Sequence, residues 1–413
     1  MERRVTGWRR WAQVALASAL INTSYGTMSY AFSVLITDQA AGGDLGRGAV
    51  ATGFGLAALA TGVASLGVGT LTDLLGSRVV IGAGAVVGAA SLALFGACQE
   101  PWQAMLVLAL VMGPARAATF YEPIYVLMNR WFDERERPRA YGVLTLMSGV
   151  SITIYTPLTQ WFVEWFGWRG AVAGLAAILA VVGVAVAVLV REPRVQARRT
   201  RGRLTVREFL GETAAGMRNT NATFWVFSFV FFASAVAFSG FMFHMIAQLE
   251  ARGFDPGPVA TAIAVTGLVS LPARFALPAL SGRFGANAML GICLAMLGVA
   301  AWIASGAGSW WEVWLYVAVF GLVFGAVYPL RALVISERFA GPYFGRVIGI
   351  QALLMAGAGA LGPALFGWAG SDTASYRFAF QGAAVVLVAG GIATVLLMRR
   401  ERPRPVEVAA TGG

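Results

Sequence analysis

The chain has 413 residues, of which 58% are hydrophobic and only 12% are charged. A water-soluble domain of this size cannot bury so much apolar surface, so the composition excludes a soluble enzyme and indicates a membrane protein. All 31 basic residues are arginine, and the formal net charge is +11.

Apolar stretches of about 20 residues, the length that crosses a bilayer core, recur along the whole chain. They cover residues 12–38, 48–71, 79–98, 103–129, 140–162, 169–190, 223–248, 257–281, 288–305, 311–336, 346–368 and 376–398. The sequence therefore predicts an all-α membrane protein with twelve transmembrane helices.

The second half of the chain repeats the first in a degraded form. The segment Gly69–Gly76 recurs as Pro278–Gly285, and Tyr121 corresponds to Tyr328. Two copies of one unit predict two pseudo-symmetric six-helix bundles with a site between them at mid-membrane. The expected boundaries are an N-terminal bundle over 1–190, a cytoplasmic linker over 191–222, a C-terminal bundle over 223–398 and a cytoplasmic tail over 399–413.

The arginines indicate how the helices are oriented. Most of them lie in segments on one side of the predicted membrane, together with the N-terminus, whereas Arg47, Arg169, Arg252 and Arg377 lie on the other side. Because positive loops stay inside, both termini are predicted to be cytoplasmic in a protein of the inner (plasma) membrane. The net charge is then a topology signal, and no nucleic-acid partner is expected.

The loop between the second and third predicted helices carries a specific pattern. Its residues Gly69-x-Leu71-x-Asp73-x-x-Gly76-x-Arg78 resemble the signature loop of the major facilitator superfamily. The glycines allow a tight turn, and Asp73 can accept N–H bonds at a helix N-terminus and pair with Arg78. The resemblance implies the major facilitator fold and a loop that latches the cytoplasmic side when the cavity faces outward. A plain turn with a capping aspartate is the alternative.

Further segments are similar to the monocarboxylate porter and oxalate/formate antiporter branches of that superfamily. They are Gly7–Trp11, Asn22-x-x-Tyr25-Gly26, Glu122-Pro123 and Ala273-Arg274. The resemblance implies that Arg274 anchors a carboxylate. Ser270 occupies the position at which monocarboxylate porters have an aspartate for proton coupling.

Polar stripes on apolar helices indicate where a cavity lies, because a polar face turns away from lipid. Ser18, Asn22, Tyr25 and Ser29 share one face of the first predicted helix. The fifth carries Thr145, Ser148, Tyr155 and Thr159, and the eighth carries Thr266, Ser270 and Arg274. These stripes predict cavity lining, with hydrogen bonding between helices as the alternative.

Three arginines, Arg116, Arg274 and Arg331, lie within predicted helices, together with one acid, Glu122. Each charge at the bilayer centre costs roughly 2.5–3.5 kcal/mol, so the arginines need partners or a function. The excess positive charge favours an anion, and a guanidinium fork suits a carboxylate. The alternatives are snorkelling of Arg331 to water and a structural Arg116–Glu122 bridge.

An ideal helix cannot direct Arg116, Tyr121 and Glu122 into one cavity, so a bend near Pro114 or Pro123 is required if all three line it. Tyr121 and Tyr328 are expected to offer hydroxyls from the two bundles.

Glu122 and His244, the only histidine, are the two candidates for proton coupling. A packed, hydrogen-bonded histidine is the alternative. Cys98 and Cys293 fall in opposite halves, so neither a disulfide nor a metal site is indicated.

The sequence thus predicts a monomeric secondary transporter of a small organic anion, a mono- or dicarboxylate, carried with a coupled proton or counter-anion by alternating access. It predicts no enzymatic activity, no cofactor and no metal. The alternatives are efflux of amphipathic compounds and a membrane sensor that does not transport.

Overall fold

The computed structural model describes residues 7–36, 40–192, 206–218, 220–339, 343–369 and 373–400, and within these ranges the chain forms helices and no β-strand. The first half contains α1 (Gly7–Tyr25, continued by a π-helical turn, Gly26–Tyr30, and by Phe32–Leu35), α2 (Arg47–Leu75), α3 (Ser77–Ala97), α4 (Pro101–Val107, the π-helical Leu108–Met112, Gly113–Thr119 and Tyr121–Trp131), and the run Arg137–Leu189, which holds α5 and α6.

The second half begins after a short linker helix, Val206–Arg218. It contains α7 (Ala222–Ala251), α8 (Pro256–Phe284), α9 (Ala286–Gly306), α10 (Trp310–Phe324 and Val327–Phe339), α11 (Phe344–Ala369) and α12 (Thr373–Arg400).

Twelve membrane helices result, although only ten helical runs of the described chain are long and apolar enough to cross a bilayer by themselves. The run Arg137–Leu189 supplies two helices, because Gly167 interrupts it with a non-helical backbone at φ 66° and ψ 170°. The remaining one is α1, which is divided into three consecutive pieces. The predicted helix number is therefore confirmed.

Each half packs as a bundle, and two helix pairs make the most extensive contacts between the halves. In the first half α3 packs on α6 and α1 packs on the α5–α6 run, while in the second α9 packs on α12 and α7 packs on α11. The halves meet where α2 contacts α11 and where α5 contacts α8. The α2–α11 approach needs small residues, since a Cβ on Gly62 would lie 2.2 Å from the Cβ of Ala356.

One end of the fold, here called the Arg-rich end, contains the turn at Gly76, residues 130–139, the linker helix and the start of α11. The linker helix contacts both bundles: the hydroxyls of Thr70 and Thr213 are 2.9 Å apart, and Arg346 donates to Glu212 at 2.9 Å. The sequence predicted a cytoplasmic linker over 191–222, without a helix in it. Residues 206–218 instead form a helix that packs on α2 and α11.

Candidate substrate site

The signature loop connects the two bundles at the Arg-rich end. The Asp73 carboxylate accepts N–H bonds from Gly345 at 2.9 Å and from Arg346 at 3.0 Å, at the N-terminus of α11. Arg346 also approaches it with its Nε at 3.8 Å, and each of these two side chains is only 4% exposed. Asp73 therefore does accept N–H bonds at a helix N-terminus, and this helix belongs to the opposite bundle.

The two glycines of the loop, Gly69 and Gly76, are required for different structural reasons. Gly69 lies where the α2 and α11 backbones touch, since a Cβ there would be 2.2 Å from the carbonyl oxygen of Gly345. Gly76 has a φ of 91°, a conformation that L side chains rarely adopt. Both positions therefore require glycine.

The expected pairing of Asp73 with Arg78 is wrong. The turn at Gly76 directs Arg78 towards α6, where its Nε donates to the carbonyl of Ala187 at 2.7 Å. Glu192 caps this turn by accepting N–H bonds from Ser77 and Arg78, at 3.0 and 3.2 Å. Asp73 is left free to bind the other bundle.

A cavity of about 460 Å³ lies between the two bundles. It is lined by helices of both halves, and its charged lining consists of Arg116 and Glu122 from α4, Arg274 from α8 and Arg331 from α10. Three guanidinium groups face one carboxylate, so the lining has an excess of two positive charges.

The backbone of α4 explains how one helix supplies so many of these side chains. It has a π-helical turn at Leu108–Met112, before Pro114, and leaves the helical conformation at Phe120, where φ is −82° and ψ is −153°. Arg116 lies before this break, and Tyr121 and Glu122 follow it. All three line the cavity. From the sequence, this was expected only if the helix were bent, and the break at Phe120 supplies the bend.

Arg274 lies on α8 where this helix packs against α5. Its guanidinium carbon is 5.4 Å from the centre of the Phe324 ring, and its Nε is 3.4 Å from the Ser270 hydroxyl. The Thr145 hydroxyl donates to its backbone carbonyl at 3.2 Å. The contacts with Phe324 and Ser270 position the side chain, and neither of them neutralises its charge.

Arg331 is 2% exposed, and its Nε and one terminal nitrogen have no hydrogen-bond partner in the described chain. Its guanidinium carbon is 5.8 Å from the centre of the Phe231 ring. It interacts electrostatically with Glu122, although the two are not within ion-pair distance. Burial at this depth contradicts snorkelling to water.

Arg116 is 9% exposed, and its Nε and one terminal nitrogen also have no hydrogen-bond partner among the described residues. The rings of Phe54 and Phe120 lie 5.1 and 5.2 Å from its guanidinium carbon. The structure forms no Arg116–Glu122 ion pair, so the alternative of a structural bridge is wrong. The break at Phe120 separates the two side chains.

Tyrosines form one wall of the cavity. Tyr25 stacks on Phe120 with ring centres 4.0 Å apart and contacts Tyr121 at 5.3 Å. The hydroxyl of Tyr121 is hydrogen-bonded to Ser148. Tyr328 lines the cavity from the opposite bundle, so the tyrosine pair predicted from the repeat does face one space.

Three other candidates do not line the cavity. The Asn22 amide donates to the carbonyl of Met147 at 2.7 Å, and the Tyr155 hydroxyl donates to Thr23 at 3.0 Å, so both join α1 to α5. The Nε2 of His244 lies 3.0 Å from the carbonyl of Pro363 in α11. For these three, helix–helix hydrogen bonding is the observed arrangement.

Several lining residues were not predicted from the sequence, among them Tyr30, Thr61 and Ser65. Tyr30 ends the π-helical turn of α1, which shifts the helical register and directs it to the cavity. Thr61 and Ser65 are four residues apart on α2 beside Gly62, a polar spacing that could have identified them.

The bundles are closed at the Arg-rich end. Contacts between α2 and α11 run from the Gly62–Ala356 pair through Ser65 and Gly349 to Gly69 and Gly345. Arg137 adds a hydrogen bond of 3.4 Å to Ser336 across the same end. Gly62, Ser65 and Ala356 also line the cavity, which therefore begins at the end of this contact row that is away from the Arg-rich end.

A family model matches most of the chain. The model described as Major Facilitator Superfamily matches residues 14–302 and 279–413. Monocarboxylate transporter 13 of Rattus norvegicus is 26% identical over 331 residues, which is 78% of this chain and 73% of that protein. Monocarboxylate transporter 3 of the same species is 26% identical over 363 residues, 84% of this chain and 73% of that protein.

Solved structures share the fold. The human organic anion transporter MFSD10 (TETRAN) superposes with a TM-score of 0.74 at 16% identity, over 94% of this chain and 100% of that one. The transporter FucP in the outward conformation superposes with a TM-score of 0.71 at 13% identity, over 94% and 99%. At these identities the similarity concerns the fold alone.

Proposed function

Because this chain belongs to the Major Facilitator Superfamily, it is a multi-pass membrane transporter and not an enzyme, and we propose that it carries a small organic anion by alternating access. The substrate class is a mono- or dicarboxylate. The substrate-binding residues of this proposal are Arg116, Arg274 and Arg331, with Tyr25, Tyr121 and Tyr328.

The charge of the cavity carries the proposal. Arg116, Arg274 and Arg331 line it with Glu122 as their one acidic neighbour in the described lining. A charge held at the bilayer centre costs roughly 2.5–3.5 kcal/mol, so unneutralised arginines are retained there for a function. In a low-dielectric cavity, a planar guanidinium binds a carboxylate through two parallel hydrogen bonds.

Because the Arg-rich end is closed, we assign this structure to the state in which the cavity receives substrate from the opposite end. Asp73, bonded to the first residues of α11, acts as the latch, and Gly69, Gly76 and Arg78 shape the loop that carries it. With this latch formed, the substrate enters from the opposite end. Rocking of the bundles about the cavity then breaks the latch and releases the substrate on the Arg-rich side.

The proposal also covers the orientation of the protein in the membrane. The arginine asymmetry supports an inner (plasma) membrane protein with cytoplasmic termini. A reporter inserted within 192–218 should then be cytoplasmic and one within 163–168 external, and the reverse pattern would contradict this orientation.

Glu122 is the candidate for proton coupling, because it lines the cavity and His244 does not. We expect a monomer, with a molar mass near that of one chain in detergent after correction for the micelle.

Efflux of amphipathic compounds is the second candidate, favoured by the apolar part of the lining. Phe238, Met242, Phe324 and Met355 all face the cavity, and such side chains accept varied apolar ligands. The cationic lining opposes cationic compounds, so this candidate is limited to neutral or anionic amphiphiles.

A thermal-shift screen of the purified protein against carboxylates tests the proposed function. A ligand that binds only the folded state stabilises it by about 2.7 kcal/mol at a concentration of 100 times its Kd. We expect at least one small carboxylate to raise the melting temperature of the wild type and not that of Arg274→Ala. Stabilisation by amphipathic cations and by no carboxylate would overturn the anion proposal.

A further inference from the structure

We propose that the preferred substrate is a dicarboxylate bound across the two bundles, with one carboxylate on Arg116 of the first bundle and the other on Arg274 of the second. This inference rests on the proposed anion transport and narrows its substrate class. It assigns Arg116 as a second anion subsite.

The charges of the cavity divide into a partly neutralised pair and two isolated cations. Glu122 has Arg331 as its interacting cation. No carboxylate of the described chain lies within ion-pair distance of Arg116 or of Arg274. The two excess positive charges of the lining are therefore those of Arg116 and Arg274.

The surroundings of Arg116 suit a ligand carboxylate. Its side chain is nine-tenths buried, and two of its guanidinium nitrogens have no hydrogen-bond partner in the described part of the protein. The faces of Phe54 and Phe120, 5.1 and 5.2 Å away, stabilise the cation without offering an acceptor. The nitrogens remain available for a bidentate carboxylate.

Arg274 presents the second cation from the opposite bundle. It is only partly buried, and its contact with Ser270 uses Nε and leaves the terminal nitrogens for the cavity. Both arginines line the same space of about 460 Å³, within the usual range for a small-molecule site. The spacer of a dicarboxylate would contact the aromatic lining between them, which includes Tyr25, Tyr121 and Phe324.

Placement on separate bundles gives such a substrate a mechanical role. Arg116 belongs to α4 and Arg274 to α8, so a dianion that binds both links the two halves. A monocarboxylate neutralises one cation and leaves the other buried and unpaired, which lowers its affinity. The cavity is thus selective for charge number.

The test compares each diacid with its own monomethyl ester, which keeps the skeleton and removes one charge. Succinate, glutarate, adipate, isophthalate and terephthalate, each with its monoester, would be titrated into purified full-length protein and followed by thermal shift. For at least one skeleton, we expect the wild type to bind the diacid about tenfold or more tightly than the ester.

Variants then assign the second charge to Arg116. Arg116→Gln should reduce the ratio of diacid affinity to ester affinity to about one, and Arg116→Lys should give an intermediate ratio because it keeps the charge without the fork. Arg47→Gln, which removes an exposed arginine, is the matched control and should keep the wild-type ratio. If Arg116→Gln does not fold, the inference is tested by comparing the ratio of diacid affinity to ester affinity in Arg116→Lys with that in the wild type.

The outcomes separate this inference from the proposed function. Equal affinity of the wild type for diacids and esters, or an unchanged ratio in Arg116→Gln, would overturn the dicarboxylate inference and leave anion transport standing. Failure of every diacid and every ester to bind would overturn both.

Discussion

At the Arg-rich end Arg346 lies between two carboxylates, Asp73 at 3.8 Å and Glu212 at 2.9 Å, whereas in the central cavity Arg116 and Arg274 have no carboxylate within ion-pair distance among the described residues. Both regions lie between the same two bundles. Under the proposed function, the paired charges hold the Arg-rich end closed, whereas the unpaired charges of the cavity bind the substrate. Removal of a charge should therefore affect conformation in the first region and binding in the second.

The largest effect is expected in the cavity, at Arg274. Arg274→Ala should nearly abolish uptake of a carboxylate that stabilises the wild type, because truncation of one partner of a desolvated charge pair costs about 2–5 kcal/mol. Arg274→Lys should be clearly impaired, since it loses the planar fork. Uptake into proteoliposomes is the measurement.

Arg283→Ala, an exposed arginine of the same helix α8, is the control and should transport normally. Transport by Arg274→Ala at the wild-type rate would refute the anion site.

A smaller effect is expected from the latch. Asp73→Asn keeps the shape, loses the charge that faces Arg346 and replaces one acceptor of the N–H bonds from Gly345 and Arg346 with a donor. The closed Arg-rich end should therefore open more often, and transport should fall while ligand binding persists. Labelling of a cysteine introduced by Ser336→Cys would detect the opening, because Ser336 is buried at this end. Both native cysteines are also buried, so they add little labelling of their own.

Asp133→Asn is a matched control, because exposed Asp133 also accepts two backbone N–H bonds, from Arg135 and Glu136, within one bundle. It should not change the labelling rate. Loss of Asp73→Asn from the membrane by degradation would assign Asp73 to folding and contradict the latch.

A more selective effect is expected at Glu122. Glu122→Gln removes the one carboxylate of the described cavity lining, so transport that depends on its protonation should lose that pH dependence. The measurement is uptake as a function of pH. Glu164→Gln, on the exposed face of α5, should keep the wild-type profile, and an unchanged profile in Glu122→Gln would exclude it from coupling.

The smallest effect is expected at the opposite end, at exposed Asp44. Its carboxylate accepts hydrogen bonds from Trp168 at 2.8 Å and Arg169 at 2.6 Å, which lower its pKa. A lowered pKa adds stability above the unfolded value of about 3.9, and this stability is lost as the pH falls through the folded value. The melting temperature of Asp44→Asn should be slightly reduced by a constant amount between about pH 7 and pH 5.

Asp255→Asn serves as the control for that comparison, because exposed Asp255 makes no side-chain cap hydrogen bond. A melting temperature of Asp44→Asn equal to that of the wild type at pH 7 would show that the contact does not stabilise the fold.

The sequence by itself determined the membrane class, the helix number, the two-bundle repeat and the family. Composition and apolar length give the membrane class and the helix number, since a bilayer accepts only long apolar helices. The recurring segment and the signature loop give the repeat and the family. Arg116, Glu122, Arg274 and Arg331 were also identifiable, because a charge in an apolar helix is rare enough to stand out.

The tertiary structure alone decided which polar residues share the cavity and which join helices. Asn22, Tyr25 and Tyr155 gave equivalent periodic signals, yet only Tyr25 lines the cavity. The break at Phe120 and the π-helical turn before Tyr30 changed the direction of side chains in ways that ideal helix geometry does not give. The partners of Asp73 could not be predicted either. Gly345 and Arg346 are distant from it in the chain, and only the packing of α2 on α11 brings them to its carboxylate.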